Sequence, residues 1–232
     1  MRRYRRIHRR SARLGTLLLL LVFLGVFMVS CVAGSDTLWM QSVLGLDLGT
    51  YAKETVISAP ETEDARVLQM TGTLGMLVGN GTRLETFRNC SQLLELYRDR
   101  ILNAMLRENY GRYVGDQTAK AAVAASDPYL NACVLVPASD FEGTVSRCFG
   151  GSEIKNKSGE CFSYLRAGYY SMPIEPWEST VEVMPLSCEE TAHAYRLTFV
   201  LCDGDDASAP YTAYFVKRSD GSFYLRGLLG GE

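Results

Sequence analysis

Residues 193–202 read HAYRLTFVLC. His193, Tyr195, Leu197, Phe199 and Leu201 alternate on one side, with Arg196 and Thr198 on the other. That period of two belongs to a strand with one buried and one wetter face. The pattern continues outward in both directions. Downstream, 210–218 and 222–228 read as strands joined by Ser219-Asp220-Gly221, a strong hairpin signal. Upstream, 180–187 reads as a strand that Pro185 pushes to a sheet edge or a bulge, and 161–165 and 169–172 are two shorter strands.

Further upstream the period changes. Leu94, Tyr97, Ile101 and Met105 recur at helical spacing within 90–108, with Asn89 and Gln92 placed to cap the start and Gly111 just past the end. Residues 117–125 form an Ala-rich helix capped by Asp116 and stopped by Asp127-Pro128. Residues 130–136 read as a strand. Residues 140–149 read as a helix with a Ser139–Glu142 capping box, a Phe141/Val145/Phe149 face and Gly150 as its stop. The apolar run 67–78 is open to either helix or strand, and Asn80-Gly81 ends it as a turn. Helices followed by an antiparallel meander define an α+β layer fold. The element order resembles the cystatin-like or SnoaL-like cone, in which a bent sheet wraps a helix; such a fold does not by itself specify a function.

The N-terminus has a different character. Arg2, Arg3, Arg5, Arg6, Arg9, Arg10 and Arg13 fill residues 1–13 without an acid. The remainder holds 17 Lys and Arg against 26 Asp and Glu, a net charge of −9. An acidic body is repelled by phosphate backbones, so no nucleic-acid partner is expected. Residues 14–34, LGTLLLLLVFLGVFMVSCVAG, contain no charge and as a helix would span roughly 31 Å, about the hydrocarbon thickness. The arginines in front should hold the N-terminus in the cytoplasm, with Trp39 as an aromatic anchor on the far side. Three fates are compatible with this segment: an uncleaved signal anchor, lipidation at Cys31 within the lipobox-like Met28-Val29-Ser30-Cys31, and cleavage near Ala33 or Gly34. All three export the body.

The expected organisation is therefore a basic cytoplasmic head (1–13), a transmembrane signal anchor (14–34), a juxtamembrane stalk (35–66) with a short strand near Glu54–Ser58, and an extracytoplasmic α+β domain (67–232). A composition of 47% hydrophobic and 22% charged residues is that of a folded chain, not a disordered one.

Motifs for chemistry are sparse. Gly45-Leu46-Asp47-Leu48-Gly49-Thr50 resembles the first phosphate loop of the actin and chaperone ATPases, but a body this short cannot form that two-lobed fold, and a stalk is the plainer reading. Gly72, Gly75, Gly79 and Gly81 lack a following Gly-Lys-Ser/Thr and read as turns. No Gly-x-Ser-x-Gly elbow is present, and the body's one histidine, His193, would have to serve any nucleophile. No catalytic residue, cofactor or metal is expected: the cysteines lack Cys-x-x-Cys spacing, and Asp203, Asp205 and Asp206 lack the spacing of a calcium loop. His193, Tyr195, Tyr211 and Tyr214 make the candidate pocket, since tyrosine offers a flat apolar face with a polar tip; it is also simply a good strand former. Cys90, Cys133, Cys148, Cys161, Cys188 and Cys202 permit three disulfides on the exported side, Cys148–Cys161 first, or serve as small buried hydrophobes. Asn80, Asn89 and Asn156 begin glycosylation sequons.

Val136-Pro137-Ala138-Ser139-Asp140-Phe141-Glu142, Phe149-Gly150-Gly151, Tyr169-Tyr170-Ser171-Met172-Pro173 and Tyr195-Arg196-Leu197-Thr198 resemble stretches of uncharacterised membrane-anchored exported proteins of Gram-positive bacteria. The resemblance spans about half the chain and carries no catalytic residue across. It implies a bacterial plasma-membrane location, in which the sequons are idle. Anchor, meander and missing catalytic set together lead to the expectation of a binding or interaction domain for a protein or small ligand. The alternatives are a cell-envelope enzyme or inhibitor using His193, Asp140 or Glu142, and a lipoprotein attached through Cys31.

Overall fold

The computed structural model describes residues 48–79, 81, 83–125, 134–152, 154–172 and 176–230. The basic head, the apolar run with Cys31, residues 35–47 and Cys133 lie outside them. Among the described residues no helix is long and apolar enough to cross a membrane.

The period-two stretches build the larger of the two antiparallel sheets among the described residues. Its strands are β4 (Glu182–Glu190), β5 (Ala194–Asp203), β7 (Tyr211–Lys217) and β8 (Phe223–Gly230) in that spatial order, with the two-residue β6 (Asp206–Ala207) attached to β5. Along β5, Leu197, Phe199 and Leu201 are fully buried and the residues between them half-buried, as alternation requires. The hairpin between β7 and β8 closes with Arg218 N donating to Ser222 O and Gly221 at φ +82°. Pro185 lies on the edge strand next to a bulge before Ser187, where its missing N–H breaks no ladder. Each edge of the sheet is capped by one isolated bridge, Ser58 to Glu190 and Phe87 to Leu228, which protects exposed strand edges from pairing with other chains.

The two shorter stretches do not extend this meander. They pair with the strand before them as a second sheet, in the order β1 (Val134–Pro137), β3 (Tyr169–Met172), β2 (Ser163–Leu165). The chain between β3 and β4 is tied to a helix instead: Trp177 N donates to Asn103 Oδ1 (3.1 Å) and Asn103 Nδ2 donates back to Trp177 O (2.9 Å).

Among the described residues six helices accompany the sheets: α1 (Leu48–Ala52), α2 (Ala65–Gly75), α3 (Cys90–Glu108), α4 (Tyr110–Gly115), α5 (Gln117–Ala124) and α6 (Ala138–Phe149). The ambiguous run after residue 66 is α2, with Val67, Met70 and Leu74 buried along one side; Gly72 and Gly75 belong to that helix, not to turns. In α3 Asn89 Oδ1 accepts from Gln92 N (3.0 Å), but the Gln92 side chain reaches back to Arg88 N (2.8 Å), one residue short of a capping box. The helix ends at Asn109, before Gly111, because α4 begins at once. Asp116 caps α5 as expected, accepting from Ala119 N at 2.9 Å. The expected Ser139–Glu142 box is absent. β1 runs directly into α6, the N–H of Ala138 donates to Gly168 O (2.9 Å), and Glu142 turns to Asn156. Gly150 stops α6 in the left-handed region, φ +67°.

Residues 48–58, read as stalk, are folded onto the sheet. Leu48 and Tyr51 of α1 are buried with Ala194, Tyr214, Val216 and Tyr224. The strand expected at Glu54–Ser58 is reduced to the single bridge at Ser58. Glu190 clamps this strap: its carboxylate accepts from Ser58 Oγ (2.6 Å) and Lys217 Nζ (2.6 Å), and Arg66 Nη1 lies 3.4 Å away. Lys217, then Ser58, hold the Glu190 carboxyl down at about 2 from 4.5. A folded value below the unfolded one means that the clamp stabilises above about 4.5 and weakens as pH falls from 4.5 toward 2. Protection factors against hydrogen exchange at 54–67, corrected for the intrinsic rate at each pH, should accordingly fall from pH 5 to pH 3 in wild type and be low at both pH values in Glu190→Gln. Equal protection of wild type at the two pH values would remove the clamp from the account.

Candidate functional site

One cleft of about 790 Å³ opens among the helices. α2 and its C-cap contribute Gln69, Gly72, Thr73 and Met76, one face at helical spacing. α6 contributes Asp140, Gly143, Thr144 and Arg147, again a single face. The junction of α3 and α4 supplies Met105, Glu108, Arg112 and Tyr113. The apolar faces of these helices are engaged elsewhere: Val67, Met70 and Leu74 of α2 and Phe141, Val145 and Phe149 of α6 all lie in the main core. Their polar and small faces are left to border the cleft.

Asp140 organises one end. Its Oδ2 accepts from Arg112 Nη2 at 2.8 Å and from Tyr113 OH at 3.1 Å. Burial first, and then the Asp140 charge, push the Tyr113 phenol up to about 12, so it stays protonated and donates. The Arg112 guanidinium also lies over the Tyr113 ring, 5.4 Å from its centroid. Thr144 sits deeper, 8% exposed, and its hydroxyl makes no hydrogen bond among the described residues. The side chains of Glu108 and Arg147 form no ion pair among those residues either.

Gly72 and Gly143 are unusual helix residues. Neither has positive φ, and a Cβ on either would meet nothing within 4 Å. An interior helix glycine costs about 0.5–1 kcal/mol relative to alanine. Packing therefore does not explain either one.

The lining holds no histidine, and among the described residues Ser139 makes no hydrogen bond to a base. Among the described residues no group of three or more His, Cys, Asp or Glu is placed to hold a metal ion. Asp203 of the aspartate-rich hairpin accepts from Thr180 Oγ1 at 2.8 Å.

The four residues of the sequence-predicted pocket do not meet. His193 precedes β5 at a bend, its side chain 74% exposed, with Nδ1 2.9 Å from Glu54 Oε1. Tyr195 lies in the main core, edge-on to Phe223 and beneath Lys217 Nζ, which is 4.6 Å from its ring centroid. Tyr211 stacks on Phe199 and its hydroxyl accepts from Leu84 N (2.9 Å). Tyr214 belongs to the separate cluster under α1. Tyr211 and Tyr214 are three apart in one strand, and that spacing alone sends them to opposite faces. Of the two candidate carboxylates on α6, Asp140 borders the cleft, while Glu142 bonds Asn156.

Cys90, Cys148, Cys161, Cys188 and Cys202 are all thiols, so the expected Cys148–Cys161 bridge is not formed. Cys148 borders the cleft, whereas the exposed Cys161 is held by its backbone N–H on Asp99 Oδ2 (2.7 Å). Burial pushes the Cys90 and Cys188 thiols up to about 11, away from reactivity. Gly49 and Thr50 of the phosphate-loop resemblance are residues of α1. Arg112, Tyr113, Thr144, Arg147, Glu108 and Gly143 were not legible as site residues in the sequence, and Gly72 reads there as a turn. Their signal was the polar stripe opposite each apolar helix face, which looks the same as a solvated surface.

Fold and site together define an antiparallel α+β domain with a ligand-sized polar cleft between helices. No protein-family model, curated protein or solved structure matches this chain.

Proposed function

We propose that the chain is a single-pass, membrane-anchored binding domain that takes a polar ligand into the helical cleft on the non-cytoplasmic side. The observation that carries the binding reading is the cleft itself: about 790 Å³, within the range of ligand pockets, and lined by convergent polar groups. The anchor rests on the seven arginines followed by the uncharged 21 residues 14–34. Asp140 is already engaged by Arg112 and Tyr113 and no histidine borders the cleft, which favours binding over hydrolysis.

A thermal-shift screen of small polar compounds on the full chain in detergent tests the reading. Compounds that raise Tm in wild type and not in Gly143→Leu, which fills the cleft, are the expected result. A screen without hits, or hits unaffected by the substitution, would refute it. A C-terminal reporter active only outside the cell is expected as well; activity inside would overturn the topology.

A further inference from the structure

We infer that the ligand of this cleft is a short, unblocked peptide of about three residues bound as an extended zwitterion; the inference rests on the binding reading above. The first observation is charge. Glu108 stands at the Asp140 end: it borders the cleft four residues before Arg112, and Arg112 and Tyr113 both hold Asp140. Arg112 neutralises Asp140 at 2.8 Å, so Glu108 leaves that end with one negative charge in excess. Arg147 lies seven residues along α6 from Asp140, ~10 Å at the helical rise, and supplies at the other end a positive charge that no described residue pairs. An α-ammonium and an α-carboxylate separated by three extended residues span ~10 Å.

The second observation lies between those ends. Thr144 is 8% exposed, borders the cleft, and has a hydroxyl without a partner among the described residues. That hydroxyl is left to bond what enters the cleft, and a peptide amide offers it both a donor and an acceptor. The third is the pair of glycines. Gly72 on α2 and Gly143 on α6 keep open the space where side chains would stand, as close backbone approach requires. A single uniformly charged ligand would leave Glu108 or Arg147 facing its own sign, and a purely apolar one would strand Thr144.

The experiment is calorimetric titration of the full chain in detergent with trialanine and with N-acetyl-trialanine amide, in wild type, Arg147→Gln and Gly143→Leu. Trialanine should bind wild type, and the blocked peptide at least tenfold more weakly. Arg147→Gln should weaken trialanine at least tenfold. Gly143→Leu should abolish binding while raising Tm by about 1–3 °C, since leucine is the better helix former and a Cβ at this position meets nothing within 4 Å. Equal affinity for both peptides, unchanged affinity in Arg147→Gln, or no binding of trialanine would overturn the inference. If trialanine fails while the screen finds another cleft ligand, the binding reading stands and the peptide assignment falls. If no compound of any kind binds, both fall.

Discussion

Phe141→Ala is expected to lower the free energy of unfolding by about 3–5 kcal/mol, read as a reduced denaturation midpoint of the full chain. Phe141 is fully buried on the inner face of α6, with its ring edge-on to Tyr170 at 5.2 Å. It also lies under the Arg98 guanidinium, 5.6 Å from the ring centroid. Arg98 is 5% exposed, and among the described residues no carboxylate pairs with it directly. Its Nη1 donates to Tyr170 OH (2.9 Å), its Nη2 donates to Lys155 O (3.1 Å), and its Nε has no partner. Tyr170 OH donates in turn to Asn156 Oδ1, and Asn156 Nδ2 donates to Glu142. A buried cation is thus linked to its nearest acid in this network only through two neutral side chains. The negative face of Phe141 is part of what solvates that cation, so alanine leaves a cavity and also strips a charge of its cover. Phe141→Leu keeps most of the volume and should cost less than half as much. A loss under about 1.5 kcal/mol for Phe141→Ala would mean that the site collapses freely and the ring is not structural there.

Gly150→Ala should cost about 2–5 kcal/mol by the same measurement. Two effects add. The backbone at φ +67° is a left-handed conformation that penalises any L side chain by about 1–2 kcal/mol. A Cβ would also stand 2.4 Å from two ring carbons of Tyr224, and displacing a packed ring costs about 1–3 kcal/mol more. Tyr224 cannot move cheaply, because its other contacts include the Arg218 guanidinium, 4.8 Å from its centroid. The same helix is therefore ended by a glycine whose loss is destructive and contains another, Gly143, whose replacement is expected to stabilise. A Tm unchanged by Gly150→Ala would show that the turn after α6 can be rebuilt.

Local signals reached a good part of this architecture. Pro185 could be assigned to an edge or bulge because a missing N–H is intolerable inside a ladder. Asp116 and Gly150 could be placed at helix ends because each satisfies a purely local demand, an orphan donor in one case and a left-handed residue in the other. The Ser139–Glu142 box failed for an instructive reason. Capping boxes form when nothing better is available, and here Gly168 O and Asn156 compete from distant parts of the chain. The candidate pocket failed differently: aromatic side chains were grouped by sequence proximity, while strand parity and the clustering of Tyr214 with α1 divide them between separate clusters.

By itself the sequence determined the class of the domain, the period-two strands, the capped helices and the charge split between a basic head and an acidic body. These follow from patterns that repeat every two or 3.6 residues and need no distant partner. Tertiary structure alone decided that residues 48–58 pack on the sheet, that the strands divide into two sheets, and that polar stripes of α2, α4 and α6 converge on one cleft. A stripe facing water and a stripe facing a ligand have the same composition, and only the placement of a second helix opposite the first distinguishes them.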